Sequence, residues 1–378
     1  MSLDPSTLLQ GVNLPAKNIF IFAPEKGHLK PLQSTDFWNL AGRAGRLLRE
    51  FCGNIFLIDY SKWRSQPLEG PKDAVIVSAI ESDIKQRDSG LLDVIRNVSS
   101  PATSNASDLE ATFVRLYVHL MHGSLPSAFE RVGITPGSET AAAIRGALEA
   151  ASTEVRLPPS VILRTPNVSV HKQQKLFDRI AGQVKLGPTQ ARAMIPLHPR
   201  EPDAYQSYSK ILQHCHQVIL GIENKIHSFH ALIAVWWMQG RPLPQIIQNQ
   251  IERSPAADTR TTIRSALHLI EDSIRFQSVR MFSCYNVLLV HALESADLGD
   301  LVSSIPSLPL FLEVGACDKT MISFIALGLS RVAATKLNDL SARKDLDPVE
   351  AKRWLQTRPL ETLGLSPLLL AEVQAVIG

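Results

Sequence analysis

The chain has 378 residues, enough for two or three domains with a sizeable core. Its net charge of +3 is too small to indicate a nucleic-acid partner unless cations cluster locally. The four cysteines are scattered without a CxxC pair, which is typical of reduced thiols rather than of a disulfide framework. Residues 1–10 show no signal-peptide pattern, and the apolar runs are shorter than the roughly 20 residues of a membrane span. A soluble cytoplasmic protein that does not enter a membrane is expected.

The first elements follow a strand, helix, strand order. Residues 18–23 (NIFIFA) and 54–59 (NIFLID) are short apolar runs, and each predicts a buried strand. Between them, a helix capped at residues 34–35 is predicted to run from 36 to about 51. One such βαβ unit is too small to be stable alone, so further parallel strands are expected beside it.

After residue 63 the pattern becomes helical. Residues 98–107 are predicted to be a polar linker, and the prolines in 185–203 predict a loop. The expected fold class is mainly α, with a small α/β part at the start. Helical apolar spacing covers residues 73–97, 109–121, 139–155, 170–184, 204–220, 227–239, 243–251, 261–293, 319–327, 332–340, 348–355 and 367–377.

Two short motifs flank the first predicted strand. Residues 6–16 are STLLQGVNLPA, and residues 39–46 are NLAGRAGR. In this order they resemble motifs V and VI of superfamily 2 (DEAD/DEAH-box) helicases. The resemblance is closest to the DExH branch that contains the superkiller-like and archaeal repair helicases. It implies that residues 1–62 are part of a second RecA-like domain.

The resemblance assigns nucleotide chemistry to motif VI. Arg43 and Arg46 are three residues apart, so both project from one face of a helix. By resemblance Arg46 is the arginine finger, a group worth roughly 10³–10⁵ in rate in other nucleoside triphosphatases. Arg43 is its phosphate-contacting companion, and Asn39 and Gly42 are implied at the nucleotide. Asn13 of motif V is implied to couple the nucleotide to the nucleic acid.

The resemblance also implies contacts with nucleic acid. In motif V, Thr7 supplies a hydroxyl and Gly11 a turn whose amides face the nucleic-acid backbone. In the helical part, residues 261–293 are the candidate for a long helix that follows single-stranded nucleic acid in relatives. For each arginine on this helix, an ordinary solvated helix face is the alternative. Three arginines are the candidate backbone contacts: Arg264, Arg275 and Arg280.

Two further segments resemble, more weakly, the helical domain that follows the motor in this branch. Residues 231–247 (ALIAVWWMQGRPLPQII) resemble its tryptophan–glycine corner, and residues 328–337 (GLSRVAATKL) resemble its small helical hairpin. The expected organisation is therefore a connector and linker over 63–107 and a helical accessory region over 108–378. Further divisions of that region are expected near residues 200 and 300.

The first half of a helicase motor has no counterpart in this sequence. It contains neither the GxxxxGK[ST] loop that cradles phosphates nor a DExH or DExD segment that binds the metal. The resemblance implies ATP and Mg²⁺ in a full-length parent whose N-terminal motor domain would supply these motifs. The chain alone is expected to be inactive and to bind no cofactor tightly.

Two clusters in the helical region carry weaker signals. The segment from residue 170 to 200 contains six Lys or Arg residues and one acidic residue, Asp178. This basic segment either binds phosphate groups or is a solvated helix face. Four histidines lack HxxxH spacing and a nearby CxxC pair, so no metal site is predicted. These are His214, His216, His227 and His230.

Two functions remain open at this point. In the first, the chain is the C-terminal part of an ATP-dependent helicase that acts on DNA or RNA, single-stranded where it is bound. In the second, the chain is a non-catalytic helical module that binds nucleic acid or protein and retains part of a motor. The reading frame upstream of residue 1 separates the two, because only the first requires motor motifs there.

Overall fold

The computed structural model describes residues 18–22, 24–26, 30–41, 54–69, 79–86, 88–98, 106–255 and 258–377. The chain divides into two compact units, Met1–Ser78 and Ala79–Gly378. The expected fold class is confirmed at the level of a mainly helical protein with a small two-stranded parallel sheet.

The first unit contains a parallel strand pair. Its elements are β1 (Asn18–Phe22), β2 (Glu25–Lys26), β3 (Lys30–Pro31), α1 (Ser34–Ala41) and β4 (Asn54–Ile58). β1 and β4 pair in parallel over their whole length, and β2 and β3 form a short antiparallel pair. Both predicted strands are therefore confirmed, as is the described part of the predicted helix.

A small core lies on one face of this sheet. Its buried members are Ile21, Leu32, Phe37 and Trp63. The indole Nε1 of Trp63 donates a hydrogen bond of 2.8 Å to the carbonyl oxygen of Ile58, at the end of β4. Trp63 therefore belongs to the first unit, which continues past the predicted domain end at residue 62.

The opposite face of the sheet is exposed. Phe20 and Phe22 are 67% and 66% exposed, and Phe56 and Ile58 are 43% and 41% exposed. The rings of Phe20 and Phe56 stack with centroids 4.7 Å apart. Side chains alternate between the two faces of a strand, so the expectation of fully buried strands is wrong for this set.

The second unit is helical throughout its described parts. Its first half contains α2 (Ala79–Gln86), α3 (Asp88–Ile95), α4 (Ala106–Met121), α5 (Leu125–Arg131), α6 (Glu139–Glu154), α7 (Pro159–Ile162), α8 (Val170–Val184), α9 (Pro188–Met194) and α10 (Ala204–Cys215). Its second half contains α11 (Ile226–Met238), α12 (Leu243–Arg253), α13 (Thr259–His268), α14 (Val279–Glu294), α15 (Leu308–Val314), α16 (Lys319–Ala326), α17 (Arg331–Leu340), α18 (Pro348–Gln356) and α19 (Pro367–Ile377).

Two π-helical stretches extend these helices. The turn His216–Leu220 follows α10 directly, so the predicted helix over 204–220 is one continuous element. The segment Leu269–Ser278 joins α13 to α14, so the predicted long helix is also continuous, from Thr259 to Glu294. The predicted helix over 73–97 is divided into α2 and α3 in its described part.

Four short helices were not expected from the sequence: α5, α7, α9 and α15. Each has four to seven residues and a proline in its first turn. So short a helix shows too little apolar periodicity to be recognised, and proline is favourable at a helix start because its missing N–H is not needed there. The expectation of a loop over 185–203 is therefore wrong between Pro188 and Met194.

The core of the second unit consists of two hydrophobic clusters. The larger extends from Ile84 to Cys317, and the smaller from Ala316 to Val373. The larger cluster is continuous across residue 200, where a division was expected, and the smaller begins after the division expected near 300. Helices α2 and α3, in the predicted connector, contribute to the larger cluster.

Among the described helices, none is long and apolar enough to cross a membrane by itself. The stretches Gly299–Val314 and Lys319–Ala326, bent by 42° relative to each other, reach the required length and composition only as a pair.

A buried carboxylate joins three helices of the larger cluster. Glu110 in α4 is 4% exposed. Its Oε2 accepts hydrogen bonds from Arg280 Nη2 at 2.7 Å and from the Ser169 backbone N–H at 3.2 Å, and its Oε1 pairs with Lys172. Ser169 is the N-cap of α8, so the carboxylate also lies at the positive end of that helix. One anion therefore holds α4, α8 and α14 together.

We expect Glu110→Ala to lower the free energy of unfolding by about 3–5 kcal/mol, because it leaves the cations of Arg280 and Lys172 without their buried partner. Urea denaturation followed by circular dichroism measures this loss. The control is Glu149→Ala, at an exposed position of α6, which should change stability by less than about 0.5 kcal/mol. Equal effects of the two variants would contradict the role assigned to Glu110.

Candidate nucleic-acid interface

Most residues of the helicase-like motifs lie outside the described residues, and their assigned roles stay predictions. These residues are Thr7, Gly11, Asn13, Gly42, Arg43 and Arg46. Asn39 lies in α1. Parallel strands cannot be joined by a tight turn and need a crossover connection. Because β1 and β4 are parallel, the chain between Phe22 and Asn54 is that crossover, and it contains motif VI.

The candidate nucleic-acid helix, Thr259–Glu294, is called the long helix below. It begins at Asp258, whose carboxylate accepts hydrogen bonds from the backbone N–H and the hydroxyl of Thr261 at 2.8 and 2.9 Å. Such an N-cap satisfies donors that have no partner inside the helix. From there the helix continues through the π-helical segment into α14.

The π-helical segment fits a spacing of four residues between the buried positions of the long helix. In an α-helix, positions four apart drift around the axis by about 40° per step, so the buried stripe would leave the core. A π-helix has about 4.4 residues per turn, and its drift is of similar size and opposite sign. Alternating the two windings therefore keeps one face inward. The buried positions at this spacing are Thr262, Ala266, Ile270, Ile274, Ser278 and Phe282.

The first half of the long helix presents cations and apolar side chains to solvent. Arg260 and Arg264 are exposed. Among the described residues, Arg264 joins no ion pair. Phe276 is 51% exposed and Leu267 is 40% exposed on the same half. Exposed cations can contact phosphates, and an exposed aromatic ring can stack against a base.

The three predicted arginines lie in different surroundings. Arg264 is exposed, as a nucleic-acid contact requires. Arg275 is partly exposed and bonds through Nη1 to both carboxylate oxygens of Glu271, at 3.0 and 2.9 Å. The Arg280 side chain is only 11% exposed, and it pairs with Glu110 in the core. Its charge is therefore already compensated inside the protein.

The two weakly resembling segments of the helical region meet in space. Arg331, at the start of α17, stacks on the ring of Trp237 with its guanidinium carbon 3.9 Å from the ring centroid. Its Nε donates to the carbonyl oxygen of Gly315 at 2.8 Å. Its Nη2 donates to those of Trp237 and Arg241 at 2.9 and 3.0 Å. The hairpin is thereby bonded to the tryptophan–glycine corner.

The position of Arg331 is favourable because it lies at two helix ends. The Trp237 carbonyl belongs to the last turn of α11, and Gly315 ends α15. Carbonyl groups at helix C-termini lack partners within the helix and carry the negative end of its dipole. Burial, followed by the nearby Arg275, lowers the pKa of Arg331 to about 10, so it remains charged at neutral pH.

Gly315 leaves the space that Arg331 occupies. Its φ is +73°, and a Cβ built on it would be 2.5 Å from Arg331 Nε and 2.7 Å from the Trp237 ring. Both the backbone conformation and the contact therefore require glycine. The sequence shows only that a glycine begins a loop here, and it does not predict the contact with Arg331.

A second link joins the two hydrophobic clusters. Arg200, before α10, bonds to Asp318, before α16, through Nη2 at 2.5 Å and Nε at 3.2 Å. Asn338 donates to the same carboxylate at 2.9 Å. Burial raises the pKa of Asp318, but the bonds from Arg200 and Asn338 outweigh it and hold the pKa below its ordinary value.

The basic segment between residues 170 and 200 is partly internal. Lys172 pairs with Glu110, and Arg200 pairs with Asp318. Lys175 and Arg179 are exposed, and they line an open cavity of about 500 Å³. Two acidic side chains of the same cavity balance these two cations, so its lining favours a solvated face over a phosphate site. The other lining residues are Asn97, Glu154, Val155, His171, Gln174 and Asp178.

Comparison of the chain with known protein families and with curated proteins finds no match.

We expect Gly315→Ala to lower the free energy of unfolding by about 2–4 kcal/mol, through strain at a positive φ and displacement of Arg331 from its carbonyl partners. Chemical denaturation followed by tryptophan fluorescence reports both the loss and the change around Trp237. Gly299→Ala is the matched control, because nothing lies within 4 Å of a Cβ at that position. A Gly315→Ala variant as stable as this control would contradict the packing argument.

Proposed function

We propose that this chain is the C-terminal part of an ATP-dependent nucleic-acid helicase. The observation that carries the proposal is the parallel pairing of β1 with β4. It makes the segment containing motif VI a crossover between neighbouring parallel strands, which is its location in a RecA-like motor domain. An antiparallel pair joined by a hairpin would have ruled out that location.

The exposed sheet face supports the same proposal. Parallel sheets are normally covered on both faces. Here Phe20, Phe22, Phe56 and Ile58 lie together on an uncovered face. Such a face is expected when further strands and helices of a larger sheet domain complete the two strands described here.

In the proposed motor, Arg46 and Arg43 complete a nucleotide site that is shared with a first RecA-like domain. That domain would bring the phosphate-cradling loop and the residues that hold Mg²⁺. ATP binds between the two domains, and Arg46 stabilises the charge that spreads over the transferring phosphoryl group. Asn39, Gly42 and Asn13 are proposed to border the same nucleotide.

The helical unit is proposed to bind the nucleic acid. Arg264 and Arg275 on the long helix would contact phosphates, together with Thr7 and Gly11 of motif V. Single strands suit this surface better than duplexes, because the exposed ring of Phe276 can stack only on an accessible base. Arg280 is proposed to anchor the helix through Glu110 rather than to contact the strand.

We expect Arg264→Ala to weaken binding of a labelled single-stranded oligonucleotide and to reduce its salt dependence. One lost phosphate contact lowers the slope of log K against log salt concentration by about 0.7 for a single strand. Fluorescence anisotropy at several salt concentrations measures the slope. The control is Arg115→Ala, at an exposed position of α4. An unchanged slope for Arg264→Ala would remove this arginine from the interface.

In the complete motor, with its first RecA-like domain present, we expect Arg46→Ala to reduce nucleic-acid-stimulated ATP turnover by roughly 10³-fold or more. Binding of nucleic acid should persist, because Arg46 faces the nucleotide in the proposed site. Arg115→Ala, at an exposed position of α4, is the control. Retained turnover in the Arg46 variant would reject the finger assignment, and a complete gene product that binds nucleic acid without ATP turnover would favour the non-catalytic module.

A further inference from the structure

A group of buried histidines lies where α10 and its π-helical turn pack against α11. His216 is 1% exposed, His227 is 8% exposed and His230 is 9% exposed. The ring centroid of His216 is 5.3 Å from that of His230 and 6.3 Å from that of His227. These three residues are called the histidine cluster below, and His214 lies next to it on α10.

Several ring nitrogens of the cluster have no hydrogen-bond partner among the described residues. Within the described part of the chain, neither nitrogen of His216 has a partner, and the same holds for Nδ1 of His230 and of His214. Nδ1 of His227 lies 3.1 Å from the carbonyl oxygen of Asn224, which it can reach only as a donor. Both nitrogens of His216 and Nδ1 of His230 therefore have no acceptor that would stabilise an added proton.

The neighbouring elements bring little compensating charge. Arg179 on α8 is a cation near His214, and it acts against protonation there. Asp272 on the π-helical segment is exposed and favours protonation of His230 only. On α12, Arg253 lies over the ring of Phe229 rather than beside an imidazole. No carboxylate among the described residues lies inside the cluster.

The cluster is not arranged to hold a metal. Among the described residues, no group of three or more His, Cys, Asp or Glu side chains could hold a metal ion. The proton is therefore the ligand to which these imidazoles can respond. Protonation of both His216 and His230 would put like charges about 5 Å apart in a buried site.

We propose that the histidine cluster is a proton-operated latch. While its rings are neutral, the cluster keeps the hairpin of α10 and α11 closed, and protonation in mildly acidic solution opens that hairpin locally. This property is independent of the proposed helicase function, because it concerns only the packing of two helices in the second unit.

The direction of the pH effect follows from the protonation states. Burial, followed by His230 and His227, lowers the pKa of His216 from 6.5 to about 4. A histidine whose pKa is lower in the folded state contributes stability that is present above its unfolded pKa and is lost as the pH falls. The two pKa values imply a roughly 25-fold rise in the fraction of open hairpin between about pH 7.5 and pH 5, from His216 alone.

Hydrogen exchange of the whole chain, measured by mass spectrometry and corrected for the intrinsic effect of pH, tests the latch. Peptides from residues 216–234 should lose protection by about 25-fold or more at the lower pH. Peptides from α6, which contains no histidine, should change less. Unchanged protection over 216–234 would overturn the proposal.

His216→Leu separates the latch from general acid unfolding. Leucine removes the two nitrogens that lack partners, so the variant should be at least as protected as the parent at neutral pH and should lose most of the pH dependence. The control is His122→Leu, at an exposed position, which should keep the parent's pH dependence. The same dependence in the His216 variant would overturn the proposal.

A measurement on the unsubstituted protein keeps the proposal testable if His216→Leu does not fold. In a histidine-selective NMR titration, the closed hairpin should show a neutral His216 ring down to about pH 5, with protonation only as new resonances of the open form appear. A His216 ring that titrates near its ordinary pKa while the hairpin remains protected would overturn the latch.

Discussion

The alignment of three helices in the second unit depends on one buried anion, Glu110. A carboxylate inside a protein is tolerated only when charge and hydrogen bonds compensate it, and Glu110 has two cations and a helix N-terminus as partners. Because these partners come from α8 and α14, the anion determines how α4, α8 and α14 align. It also divides the long helix into two parts. The side chain of Arg280 reaches into the core, whereas Arg264, nearer the start of the helix, faces solvent, although a buried stripe runs through both parts.

This division gives the helical unit a rigid part and a presenting part. The presenting part offers cations and the ring of Phe276, to which the proposed function assigns contacts with single-stranded nucleic acid. The smaller hydrophobic cluster joins the rigid part through Arg331, which bonds to carbonyl oxygens at two helix ends. The Arg200–Asp318 pair is a second bond between the same two parts. A displacement of the C-terminal helices would therefore be transmitted directly to the tryptophan–glycine corner.

The sequence predicts elements well where local periodicity determines them. The strands around residues 20 and 56 and the helix Val170–Val184 follow from apolar spacing alone. Short helices such as Pro188–Met194 do not, because seven residues hold under two turns of pattern. Arg280 could not be placed, since its partner Glu110 is 170 residues away and no local signal links them. The π-helical winding of Leu269–Ser278 was not predicted, because two of the six buried positions spaced by four residues, Thr262 and Ser278, are polar and leave no apolar pattern in the sequence. Apart from Asn39, the nucleotide half of the candidate site lies outside the described residues, and its assignment rests on motif resemblance.

The π-helical winding also determines how the long helix tolerates changes in length. Leu269–Ser278 holds more residues per turn than the helices on either side of it. Deleting one residue there could be absorbed by tightening the segment toward α-helical winding, with little disturbance of Thr259–His268. Without that tightening, the second half would rotate by about 80–100° relative to the first. Arg280 would turn away from Glu110, and the outward cations would change their angular relation to the core. An insertion or deletion in this segment thus changes the rotation of the second half of the long helix, about the helix axis, relative to the first half.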